Sequence, residues 1–90
     1  MSATKYTLYV GGGTVDSVEP ILTKHSVKGA TMTPVHGLWG GKLEYGTKIE
    51  IIQFDDNFKL LLGALVCELK EGLHQDAILM TVEILQASLL

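Results

Sequence analysis

Apolar and polar positions along this chain change period several times, from the alternation of strands to the three-and-four spacing of helices. Tyr6 to Val10 is rich in aromatic and β-branched residues and predicts a strand, closed by Gly11-Gly12-Gly13. Val15, Val18, Ile21 and Leu22 then follow near-helical spacing. Pro20 bears on where that helix begins. With Ser17 as N-cap, Pro20 is the third helical residue and its missing N–H breaks no bond; a start at Thr14 puts it in the interior, at about 3 kcal/mol. The expectation is therefore a late start, as with Ser17 as N-cap, or a distorted first turn.

Val27 to His36 predicts a second strand, with Pro34 marking an edge or a strand end because it cannot donate to a ladder. Gly37-Leu38-Trp39-Gly40-Gly41 reads as a loop, and Glu44 to Phe54 as a third strand centred on Lys48-Ile49-Glu50-Ile51-Ile52. Asp55-Asp56-Asn57 is a helix-start signal with Asp56 as the expected N-cap. Phe58, Leu61, Leu62, Leu65, Val66 and Leu69 carry the helical stripe, and Lys70 and Gly72 mark its end. Asp76 to Leu85 predicts the last strand, with Ile78, Met80, Val82 and Ile84 on one face and Ala77, Leu79, Thr81, Glu83 and Leu85 on the other.

The order βαββαβ, with two right-handed crossovers, predicts an α+β fold of ferredoxin-like type: a four-stranded antiparallel sheet with both helices on one face, in a single domain over residues 1–90. The last strand is apolar on both faces, and helices can cover only one of them. A second copy of the chain is the simplest cover for the other. Composition points the same way: 47% of the residues are hydrophobic and the mean hydropathy is +0.29, much for a core of this size.

Charge narrows the function. The net charge is −3, and all the bases are lysines. An acidic chain without arginine lacks the field that neutralises nucleic-acid phosphates. The single cysteine, Cys67, the absence of a signal-peptide apolar core in the first residues, and a longest apolar run of only Leu60 to Cys67 lead us to expect a reduced, cytoplasmic protein with no membrane insertion. The glycine triplet lacks the residues of a phosphate loop and reads as a turn. His25, His36 and His74 fall on three different elements without ligand spacing, so no metal site is expected. Cys67 has no base signature beside it, and no nucleophile–base pair or paired acids occur at useful spacing, so no enzymatic activity is expected. Trp39 and Tyr45 flank the loop and suit either stacking on a ligand or packing at an interface. Glu50, a carboxylate among isoleucines, needs a partner; a neighbouring subunit's lysine or a ligand would each supply one.

The run Val27-Lys28-Gly29-Ala30-Thr31-Met32-Thr33-Pro34-Val35-His36-Gly37 resembles the second strand of the PII signalling proteins, through Gly29, Thr31, Val35 and Gly37. Lys48-Ile49-Glu50-Ile51 is similar to the opening of that family's third strand, and Asp16 and Val18 to the start of its first helix. The resemblance covers about residues 6 to 85 and implies a trimer that binds an adenine nucleotide between subunits and signals to a partner protein, such as a transporter or an enzyme. It implies that Thr31 meets the adenine edge, with Gly29 also in the ligand site, that Glu50, Ile52 and Tyr9 line the base and ribose wall, and that the backbone of Gly37, Leu38, Trp39 and Gly40 approaches the phosphates. Here the family's long loop is reduced to about residues 40–45, and Gly72-Leu73-His74-Gln75-Asp76-Ala77 stands without a lysine where the family meets phosphate. Two functions follow: a PII-like sensor of a small metabolite, an adenine nucleotide or a small anion, or an oligomeric interaction module that holds no ligand.

Overall fold

In the computed structural model, which describes residues 1–90, the chain runs β1 (Ser2–Gly11), α1 (Val15–Lys24), β2 (Thr31–Trp39), β3 (Lys42–Gln53), α2 (Phe58–Gly72) and β4 (Leu79–Gln86). The strands form one antiparallel sheet in the order β2-β3-β1-β4. This is the ferredoxin-like arrangement expected from the order of elements. Tyr6, Leu8 and Val10 of β1 meet Ile49 and Ile51 of β3 on one face of the sheet. Val18 and Leu22 of α1, and Phe58, Leu65 and Leu69 of α2, close over them as the core. The rings of Tyr6 and Phe58 lie 5.1 Å apart and tilted, so α2 is keyed to β1 by an aromatic pair.

Several boundaries differ from the expectation, each for a local reason. Helix α1 is capped by Thr14, not Ser17. Thr14 accepts from the Ser17 amide at 3.1 Å, and Ser17 Oγ accepts from the Thr14 amide at 2.8 Å, a reciprocal box. Pro20 is then inside the helix. The ladder bond it forfeits belongs to Asp16, on the exposed side where water can serve that carbonyl. Strand β1 extends beyond Tyr6–Val10 because it pairs on both sides over nearly its whole length.

Strand β2 begins at Thr31 rather than Val27. Val27 belongs to the end of α1: its amide donates to Leu22 O and that of Ser26 to Thr23 O, with Ser26 at φ 61°. This is a Schellman ending with serine where glycine is usual. Helix α2 ends the same way. Gln75 N donates to Lys70 O, His74 N donates to Glu71 O, and His74 stands at φ 54°. Gly72, expected as the stop, is the last helical residue. At the start of α2 the cap is Asn57, not Asp56, and Asp55 accepts the Asn57 amide at 3.0 Å.

Residues 37–41 depart furthest from the expected loop. Gly37, Leu38 and Trp39 are strand, paired with Glu44, Leu43 and Lys42. Only Gly40 and Gly41 turn, at φ 54° and 77°. Positive φ at both central positions is the type I′ turn, whose twist matches the flanking strands and which only glycine enters freely. The expected five-residue loop is therefore a tight hairpin. Strand β4, an edge, starts at Leu79 rather than Asp76. Leu79, Met80, Val82 and Ile84 are all exposed, so neither face of β4 is covered within one chain.

Candidate functional site

The register sorts the side chains of the helix-free face. Thr31 lies opposite Glu50, Thr7 opposite Glu50 on the other side, and Lys5 opposite Ile52. Lys5 Nζ reaches Glu50 at 2.8 Å and Glu83 at 3.7 Å, and Lys48 Nζ stands 3.8 Å from Glu50. Glu50 thus has its partner within the same chain. The Lys5 ammonium beside it holds its carboxyl below the usual carboxylate range, and Glu50 raises Lys5 in turn. Nothing local in the sequence marks Lys5; only the pairing of β1 with β3 brings it to Glu50.

The pair's effect on stability has a definite sign. A depressed carboxylate stabilises above its unfolded titration range and loses that contribution as acid protonates it; a raised lysine keeps its contribution until strong base. The difference in urea midpoint between the wild type and Glu50→Gln should be constant around neutrality and shrink toward zero below the ordinary carboxylate range. A difference that grows in acid would refute the pairing.

Gly29, Thr31, Glu50 and Ile52 come together with Lys5 and residues 87–89 around a depression of about 340 Å³ at one end of this face. Tyr9, Gly37 and Trp39 stand at the other end. Tyr9 and Trp39 line a hollow of about 480 Å³ with Gly11, Glu44, Leu79 and the segment 74–78, and Gly37 lines an adjoining hollow of about 230 Å³ that shares Tyr9, Gly11, Trp39 and Glu44. From Glu50 to Glu44 along β3 is about 20 Å, so one chain does not unite the two sets. Leu38 belongs to neither, because alternation turns it to the helix side, where it is exposed opposite Leu43. Gly40 is at the hairpin tip. Trp39 and Tyr45, which flank the hairpin turn, are on opposite faces of the sheet; Tyr45 packs edge-on against His36, with ring centroids 4.6 Å apart. His25 bonds to Glu68 at 2.9 Å, joining α1 to α2.

Sequence reading missed Gly11, Glu44, Gln75 and Leu79, which the fold draws from three elements and a turn. The glycines were the available signal. Glycine within a strand often marks a close approach. A Cβ on Gly37 would lie 2.9 Å from the Trp39 Nε1, so the indole lies over that bare backbone.

Solved structures share this arrangement. CPII, a nitrogen regulatory PII-like protein from Thiomonas intermedia bound to ADP, AMP and bicarbonate, superposes with a TM-score of 0.66 at 16% identity, covering 98% of this chain and 94% of its own. A DUF3240 family protein from Shewanella baltica gives 0.68 at 16% identity over 98% and 96%. The fold is that of the PII-like proteins. A phage SAM lyase in its apo state matches as well, with a TM-score of 0.67 at 20% identity over 92% of this chain and 81% of its own. The PII-like fold therefore also carries an enzyme, and architecture alone does not assign chemistry. No protein-family model and no curated protein matches the sequence. The loop expected at about residues 40–45 is here the two-residue Gly40-Gly41 turn between β2 and β3. No helix is long and apolar enough to cross a membrane.

Proposed function

We propose that the chain is a non-catalytic, cytoplasmic regulator that binds a small metabolite in clefts between the subunits of a homotrimer and passes occupancy to a partner protein, a transporter or an enzyme. One observation carries this reading: Gly29, Thr31, Glu50 and Ile52 gather around one depression on the helix-free face, while the Gly37–Gly40 backbone lies about 20 Å away along the same sheet. A ligand that touches both sets must bridge two copies. The uncovered β4, with Val82 and Ile84 exposed, supplies apolar surface for such contact. The ligand class is an adenine compound of low charge, such as AMP, or a small anion. The lysine in the depression, Lys5, is already shared by Glu50 and Glu83 and has little charge left for a polyphosphate. CPII, bound to ADP, AMP and bicarbonate, lends the reading support.

Light scattering should give three times the chain mass. Calorimetry with AMP, ADP and bicarbonate should show binding, and Thr31→Val should weaken the adenine compound about threefold to tenfold by removing one hydroxyl at near-constant volume. An intact trimer that binds none of them would favour the structural module, for which the exposed β4 face is the specific support.

A further inference from the structure

The hollow at the hairpin base has a chemistry of its own, independent of whether the Thr31–Glu50 depression takes an adenine compound. Glu44 Oε1 occupies the place that a Cβ on Gly11 would fill, and Gln75 Oε1 lies 3.0 Å from that same point. The Schellman ending of α2 fixes the backbone of Gln75, and its Nε2 donates to Leu73 O at 3.2 Å, which turns the amide oxygen toward Glu44. Two acceptor oxygens thus converge over bare backbone. Glu44 takes part in no ion pair and no side-chain hydrogen bond of the chain. Tyr9 and Trp39 line the same hollow. Aromatic faces beside a carboxylate favour an organic cation, and facing acceptors favour one that carries N–H donors.

We propose that this hollow is a binding site for the ammonium group of a small organic amine. Gly11 leaves the space, Glu44 supplies the countercharge, Gln75 accepts a second N–H, and Tyr9 and Trp39 flank the alkyl stem and the charge.

Trp39 is the single tryptophan of the chain, so its fluorescence reports on the hollow directly. Titration with butylammonium should change Trp39 emission saturably, whereas butanol and butyrate, of the same length but neutral and anionic, should not. Glu44→Gln keeps the shape and removes the charge. It should weaken butylammonium about tenfold, the scale of one charge-assisted hydrogen bond. Circular dichroism checks that this variant is folded, and a second variant, Trp39→Phe followed by calorimetry, should retain binding with reduced affinity. Thr31→Val should leave amine binding unchanged, which separates this site from the adenine reading. Equal responses to butanol and butylammonium, or an unaltered affinity in Glu44→Gln, would overturn the proposal.

Discussion

Replacing Leu8 by alanine should lower the stability of this domain by about 3 kcal/mol, within the range found for large-to-small changes at fully buried sites. Leu8 has no solvent exposure and lies in β1, one of the two central strands, opposite Ile49 on β3 and Met80 on β4. Its cavity would be bounded by a sheet held on both sides, which limits collapse. Domains of this size have total stabilities of about 5–15 kcal/mol, so the loss is a large fraction. The thermal midpoint should fall by roughly 12–24 °C, at about 4–8 °C per kcal/mol. The control is Leu60→Ala. Leu60 is 83% exposed on α2, and its truncation should change stability by less than about 0.5 kcal/mol in the isolated chain. Both variants are best compared at one protein concentration, because assembly adds to apparent stability. Equal midpoints for the two variants would place the core elsewhere.

Gly46→Ala should be the second large effect, by overpacking rather than by a void. A Cβ on Gly46 would collide with the Val10 carbonyl and stand 3.0 Å from the Gly11 Cα. Both are backbone atoms of the paired strand, so no rotamer can give way. Relief requires β1 and β3 to part where Gly11 meets Gly46, next to the buried Thr47, whose hydroxyl donates to Gly13 O at 2.9 Å. We expect a loss of about 1–3 kcal/mol, read as a lower urea midpoint. Loosening this end of the sheet should also disturb Trp39 emission, since Gly46 and Trp39 border the same hollow. An unchanged midpoint would show that the strands are not this close.

Much of the fold was legible in the chain because local periodicity reports which face of an element is buried. The alternation around Tyr6–Val10 and Lys48–Ile52 and the stripe from Phe58 to Leu69 each mark residues that enter the core. Boundaries were less legible where competing local terms were close. A late start of α1 protects Pro20, but the Thr14–Ser17 box satisfies first-turn donors at the cost of one exposed bond. Ser26 and His74 end helices in a conformation that sequence reading looks for at glycine. Gly37-Leu38-Trp39 looked like a loop because glycine is frequent there, yet two glycines suffice for a type I′ turn and the remaining residues pair.

By itself the sequence determined the order βαββαβ, the α+β class and the likeness to PII proteins, since hydrophobic spacing and a few punctuating glycines act over short stretches of chain. The tertiary structure decided which residues meet. Strand pairing supplied Lys5 to Glu50, from positions 45 residues apart in the chain. It separated Thr31 from Gly37 by the length of a strand, and it set Glu44 and Gln75 over Gly11. No local pattern encodes such meetings, because register and crossover geometry fix them only when the whole sheet closes.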